Sequence, residues 1–253
     1  MRRIRRVGLG IGPILLSACL IDIDADRLLD AGPPDGQVVI RPDGGVAAPC
    51  PLDTVEIGGG VCVDAREASR GAYVAFLVQH GSEAGTQSGP CRFNDSYLPE
   101  DGWPPAAGTD ALPVAGLDWC DALAFCAASG RRLCTEAEWS SACSRGSISA
   151  YPYGSTYMAG RCNGDGVAPE PLPTGSLASC EGGFAGLFDL SGNVAEWVDG
   201  CVDGPGASGS NDDCAALGGS YASIGAALSC SASQSAWRSH TSPSIGLRCC
   251  RSR

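Results

Sequence analysis

The sequence predicts an α+β domain of few helices and short strands, loop-rich and stapled by disulfides. Three observations predict it. Gly at 36 and Pro at 17 in 253 residues punctuate the chain too often for a bundle of long helices. Fifteen cysteines are far more than an ordinary core uses. Only three stretches combine helical periodicity with caps. With 44% apolar and 18% charged residues, the chain can bury a core as one large domain or two small ones.

Residues 1–18 read as a signal peptide. Arg2, Arg3, Arg5 and Arg6 form a basic start, and "VGLGIGPILLSA" is too short to span a bilayer. Leu16-Ser17-Ala18-Cys19 resembles a bacterial lipobox, in which cleavage precedes a cysteine that is then acylated. We therefore expect lipid on Cys19; the alternative is an ordinary signal peptide with a chance cysteine. Residues 19–48, rich in Asp, Gly and Pro, read as a tether with a short strand at "QVVIR". Residues 49–253 then form the domain. No other segment reaches membrane-spanning length. Leu20 lacks the acidic character that retains enteric lipoproteins at the inner membrane. The expected location is thus the cell envelope, at the outer rather than the inner membrane, with the domain extracytoplasmic.

Removal of residues 1–18 leaves a net charge of about −15 and no lysine anywhere. Such a surface repels nucleic acid and excludes it as a partner. The partners left are the membrane, through the lipid, and a protein or glycan ligand.

A first helix is expected over "ASRGAYVAFLVQHG", with Ser69 as cap, Ala72, Phe76 and Leu77 on one face and Gly81 as stop. A second runs through "GLDWCDALAFCAASG", capped by Asp118, with Trp119, Leu123 and Cys126 on one stripe and Gly130 as its end. A third is "TEAEWSSAC", where Thr135 and Glu138 have capping-box spacing. After Gly146, turn residues dominate until "GGSYA" and "IGLRCC".

If Cys19 is lipidated, fourteen cysteines remain, an even number in an oxidising compartment, so disulfides are the default. No C-x-x-C pair exists, which disfavours zinc and a thioredoxin-like dithiol. His80 and His240 are the only histidines and read as surface or loop residues, which weakens Ser-His-Asp chemistry.

Several runs, in order, resemble the formylglycine-generating enzyme, or sulfatase-modifying factor, family. They are "CVDAREASRGAYVAFL", "LPVAGLDWCDALAFCAASGRRLCTEAEWSSACSRG", "YPYG", "GLFDLSGNVAEWVDG", "LGGSY" and "AWRSHTSPSIGLRC". The resemblance implies a variant of the C-type-lectin fold. It also implies a structural calcium in the "DLSGNVAE" loop, held by the side chains of Asp189 and Glu196 and the carbonyls of Gly192 and Val194. Two carboxylates with carbonyls from a Gly-rich turn suit a hard cation; a solvated acidic turn before a core Trp197 is the competing reading. A second family calcium site matches Asn163 and Gly164, with Asp165 standing in for an acid that lies further along in the family.

The family's enzymes bind Cu(I) with two cysteines and oxidise a substrate cysteine with O₂. Those two positions fall here on Ser223 and Leu228, so copper is not expected, since hydroxyl and alkyl groups are poor partners for a soft metal. Ser220, Trp237 and Arg238 would lie near the family's active cleft, or serve as core and loop packing. The resemblance pairs Cys126 with Cys249 and lets Cys230 take over as partner of Cys143. Cys162–Cys180 and Cys201–Cys214 are expected as local staples. A lipid-anchored, non-catalytic binding or cell-surface domain is the favoured function. The alternative is an oxidoreductase of the formylglycine-generating type. An iron-dependent sulfoxide synthase is disfavoured, because two histidines and no partner domain cannot supply its iron site.

Overall fold

A computed structural model describes residues 49–253, apart from 86, 88, 101–102 and 205–208. The signal peptide, Cys19, the tether and its "QVVIR" strand lie outside the described residues.

The first helix, α1 (Arg70–His80), starts where the Ser69 side chain accepts from the Ala72 N–H, and Gly81 at φ 85° closes it. Phe76 is buried and Leu77 packs against the same core, as expected, but the face is centred differently. Ala72 is exposed and Tyr73 is buried instead, its ring stacked 5.5 Å from Phe125 and edge-on to Trp103. The large aromatic removes more apolar area from water than a methyl group, so it turns the helix. In α2 (Trp119–Ala128), Asp118 and Asp121 form a full capping box. The helix ends one residue before Ser129, and Gly130 follows at φ 68°. In α3 (Glu136–Ser144), Thr135 and Glu138 form the second capping box. Each box satisfies two orphan N–H donors at a helix start; the spacing of Thr135 and Glu138 announced the second, while for α2 only the Asp118 cap was expected from the sequence.

Strands β1 (Thr54–Glu56), β2 (Val61–Asp64), β3 (Arg132–Leu133) and β8 (Cys249–Ser252) form one sheet in the order β1-β2-β8-β3. Strands β4 (Ala195–Val202), β5 (Asp213–Leu217), β6 (Ser233–Trp237) and β7 (Ile245–Leu247) form the other, in the order β6-β5-β4-β7. All pairs are antiparallel except β4 with β7. The region after Gly146 thus holds more strand than its turn residues suggest. Its longest strand, β4, buries Ala195, Glu196, Trp197 and Val198 consecutively, so no alternation marks it. "GGSYA" is not a strand, since Gly218 and Gly219 both take positive φ and a 3-10 turn follows at Gly225–Leu228.

β4 lies between two cores. Ala195 and Trp197 face one built from α1, α2, Ile245 and Leu247. Val198 faces the other, with Val63, Trp139, Leu187 and Leu217. The three central tryptophans also find acceptors: Trp119 Nε1 donates to Val198 O (2.7 Å), Trp197 Nε1 to Leu117 O (3.0 Å) and Trp139 Nε1 to Glu196 Oε2 (2.6 Å). Each buried indole contributes about 4–6 kcal/mol of gross apolar burial.

All fourteen described cysteines are in seven disulfides. Cys126–Cys249, Cys143–Cys230, Cys162–Cys180 and Cys201–Cys214 are the four pairs expected from the sequence. Cys50–Cys62, Cys91–Cys120 and Cys134–Cys250 complete the set. The adjacent Cys249 and Cys250 have different partners because neighbouring strand residues point to opposite faces. One ties β8 to α2, the other to the residue after β3.

Candidate functional site

Three left-handed residues shape the loop before β4: Asp189 (φ 61°), Gly192 (φ 76°) and Asn193 (φ 59°). Glycine is required at 192, because a Cβ there would come within 2.3 Å of the Asn163 carbonyl. Asn193 is the hub of the loop. Its N–H donates to Asn163 O (2.7 Å) and its carbonyl accepts from Tyr221 N (2.9 Å). Its Nδ2 donates to Glu67 Oε2 (2.7 Å) and to Leu172 O, while its Oδ1 accepts from Leu172 N and Asn163 Nδ2. The two loops that resemble the family's calcium sites are therefore bonded directly to each other.

Glu67 is a residue that sequence reasoning missed. It is buried, accepts from Asn193 Nδ2 and from Val194 N (3.1 Å), and so orders the loop from 126 residues away. Burial first, then the neighbouring charges of Asp189 and Glu196, hold its carboxyl well above the usual range. No local pattern could have announced it.

Glu196 meets a buried arginine. Its Oε1 accepts from Arg248 Nε (3.1 Å) and Nη2 (2.9 Å), and its Oε2 from Arg248 Nε (2.9 Å) and Trp139 Nε1 (2.6 Å). Arg248 completes its donors on Asp64 O and Phe188 O, both at 2.7 Å. Asp189 Oδ2 accepts from Gly175 N, and burial raises its carboxyl above the usual range. A fixed guanidinium already supplies the positive charge that Glu196 needs, and both carboxylate oxygens are engaged. Asp189, Gly192, Val194 and Glu196, the ligand set read from the motif, share one loop, in which the Glu196 carboxylate is hydrogen-bonded to Arg248 and Trp139. Among the described residues, no group of three or more His, Cys, Asp or Glu could hold a metal.

The second loop fits a cation better. Asn163 is buried, its Nδ2 donates to Asn193 Oδ1 (3.0 Å) and Glu170 O (3.1 Å), and its Oδ1 has no hydrogen-bond partner. A buried orphan oxygen is costly and is what a hard cation or a water would satisfy. The Gly164 carbonyl accepts from Val167 N (3.2 Å). Asp165 is directed elsewhere, its Oδ2 accepting from the Tyr157 hydroxyl at 2.8 Å.

At the positions where the family places thiols, Ser223 Oγ accepts from Ser220 N (2.9 Å), and Ser220 Oγ accepts from Ala222 N (3.3 Å). Leu228 is buried against Gly164, where a Cβ would lie 2.7 Å from both leucine methyls. The nearby Cys230 is bonded to Cys143. A cavity of about 410 Å³ opens here, lined among others by Gly219, Ser223, Ala226, Ala227, Ser231 and Gln234. It holds no titratable side chain and no thiol. Hydroxyl and amide groups can hydrogen-bond a ligand there, but cannot bind a soft metal strongly.

Among the described residues, no hydrogen bond, ion pair or ring contact joins Ser220 to Trp237 or Arg238. Arg238 is buried, ion-paired to Asp212 (3.0 Å) with its guanidinium carbon 4.4 Å from the centre of the Trp119 ring. It packs the core rather than facing a ligand. Trp237 ends the edge strand β6 and is 60% exposed.

The order of motifs and the sheet architecture find their counterpart in a family model described as "Sulfatase-modifying factor enzyme 1-like domain", which matches residues 33–253. The chain belongs to this family. The match begins inside the segment read as a tether. Among curated relatives, an "Inactive C-alpha-formylglycine-generating enzyme 2" of Mus musculus is 39% identical over 103 residues, covering 34% of this chain and 32% of that protein. A "Formylglycine-generating enzyme" of Thermomonospora curvata is 38% identical over 104 residues, covering 36% and 33%. The aligned part is thus about a third of these relatives' length. Among solved structures, PvdO from Pseudomonas aeruginosa superposes with TM-score 0.58 at 21% identity, covering 88% of this chain and 90% of that one. CarF superposes with TM-score 0.58 at 22% identity, covering 76% and 86%. These likenesses establish the fold: the sulfatase-modifying-factor variant of the C-type-lectin fold, with three α-helices among the described residues.

Proposed function

We propose that this sulfatase-modifying-factor-like domain is non-catalytic and serves binding or structure at the cell surface, held to the envelope by lipid on Cys19. The observation that carries the reading is the state of the cysteines. All fourteen described cysteines are cross-linked, and the positions matching the copper pair are Ser223 and Leu228. Without a thiolate pair, nothing there holds Cu(I) or delivers O₂ to a substrate cysteine. A mouse relative is itself named an inactive enzyme. Seven bridges and irregular loops suit recognition of a protein or glycan, because cross-links hold loop surfaces in one shape. In this reading the lipid places the domain at the outer membrane, outside the cytoplasm, and calcium, where bound, uses the free Asn163 oxygen. Among the described residues, no helix is long and apolar enough to cross a membrane.

The identity to a protein named formylglycine-generating enzyme keeps the oxidoreductase reading in view. One experiment separates the two. The purified chain is loaded with Cu(I) and given a cysteine peptide and O₂, and the peptide is searched by mass spectrometry for the aldehyde. The binding reading expects unchanged peptide, and copper-dependent aldehyde overturns it.

A further inference from the structure

A second cavity, remote in sequence from the Ser223 cavity, is better furnished with chemistry. It measures about 430 Å³, within the range of small-molecule sites, and is bounded by Leu52 and Asp53 ahead of β1, the end of β2, the segment leading into α1, Phe125 of α2, Arg131 and Thr174. Its charged groups are arranged unequally. Arg131 is committed, with Nη1 on Asp64 Oδ1 (2.6 Å) and Nη2 on Asp53. One guanidinium faces two carboxyls there, and the buried Glu67 lines the cavity as well. Arg66 is not committed. It makes no hydrogen bond and no ion pair among the described residues, and its guanidinium carbon lies 5.7 Å from the centre of the Phe188 ring. Its charge acts on Asp189 only through space, as the weakest of the influences on that carboxyl.

Arg66 is exposed, with its guanidinium over the Phe188 ring. It lies across Gly175, where a Cβ would come within 2.3 Å of its Nε. Gly175 takes φ 70°, and its N–H is bonded to Asp189, so the loop beneath the arginine is itself fixed. A guanidinium beside an aromatic face and a glycine backbone, without a bonded anion, is available to a planar carboxylate. Around it stand hydroxyls. Thr174 is half-buried and its hydroxyl has no hydrogen bond, while Ser69 accepts only from the Ala72 N–H. Phe125 and Leu52 supply apolar surface.

We propose that this cavity binds a small carboxylate that carries hydroxyl groups, of the size and chemistry of a uronic acid, with the carboxylate on Arg66 and hydroxyls on Thr174, Ser69 and the free oxygen of Asp53. On a chain of strongly acidic net charge, Arg66 is an exposed cation with no anion bonded to it among the described residues, and can recruit such an anion. The site is independent of whether the Ser223 cavity is inert.

The test is titration calorimetry of the full-length chain with D-glucuronate, D-glucose and glycylglycine as probes. The expected result is saturable binding of glucuronate, with glucose and glycylglycine at least ten-fold weaker. Arg66→Gln should weaken glucuronate binding by about 10- to 100-fold, as loss of a charge-assisted bidentate contact does. Thr174→Val should weaken it several-fold, and Arg161→Gln, outside the cavity, should leave it unchanged. Absence of saturable glucuronate binding, or equal affinity for glucose, overturns the proposal. So does equal affinity for glycylglycine, which assigns the cavity to chain termini. Full affinity in both the Arg66 and Thr174 variants places the ligand elsewhere and overturns it as well.

Discussion

Replacing Glu196 by Gln tests the central electrostatic claim. The variant keeps the volume and an acceptor for Trp139, but leaves Arg248 as a cation with no counter-charge in direct contact. Arg248 and Glu196 side chains are 0% and 1% exposed, so water cannot compensate. Removing one member of a buried pair costs about 3–5 kcal/mol. For a domain of this size each kcal/mol lowers the melting temperature by about 2–4 °C. The expected fall is thus about 6–20 °C, read by circular dichroism or calorimetry. It should be the same with and without EDTA, because the partner is an arginine and not a metal. Pairing Glu196→Leu with Arg248→Met should cost much less than the sum of the single changes, since no charge is then left buried. A shift below about 2 °C for Glu196→Gln would refute the pair's importance. A wild-type EDTA effect equal to the Glu196→Gln effect, and non-additive with it, would return the carboxylate to a metal.

Burial pushes the Asp64 carboxyl up to about 6 against the attraction of Arg131, so its protonation favours the folded state. Its contribution is fully present below pH ~4 and lost as pH rises through ~6; from pH 7 to pH 5 stability should grow by about 1 kcal/mol, or about 2–4 °C, and Asp64→Asn should remove that increment. A melting temperature that falls over this interval would contradict it. Alkylation of the unfolded, unreduced chain should label no cysteine other than Cys19; a labelled cysteine among the other fourteen would break the disulfide assignment. EDTA should lower the melting temperature if the Asn163 oxygen holds calcium, and an unchanged melt removes that metal from the proposal. Metabolic labelling with a fatty acid should mark the chain, and Cys19→Ser should abolish the label; a label that survives the substitution places the lipid elsewhere.

The three helices were legible because their signals are local. Ser69, Asp118 and Thr135 each cap a helix through an atom three residues away. The face of α1 was misread because Tyr73, not Ala72, meets the aromatic cluster, and that cluster is assembled from α2 and the 97–103 loop. β4 was hidden because both of its faces are buried, which erases the period of two. The loop before β4 was found from its acids, glycine and asparagine, yet its bonding partners were not. Glu67 and Arg248 come from opposite ends of the domain and reach it only through the fold.

The sequence alone settled which residues stand at 223 and 228. A side chain's metal affinity is a property of its atoms, and serine and leucine at 223 and 228 carry no sulfur in any fold. It also settled the helix starts and the count of sulfurs available for cross-links. Only the tertiary structure decided where buried charge goes. Glu196 answers to Arg248 because parallel pairing of β4 with β7 sets Glu196 beside Gly246, two residues before the arginine. Arg131 takes both Asp53 and Asp64, while Arg66 makes no ion pair among the described residues. Electrostatic partnership depends on distance through a low-dielectric interior, and distance between residues far apart in sequence exists only once the sheets have formed.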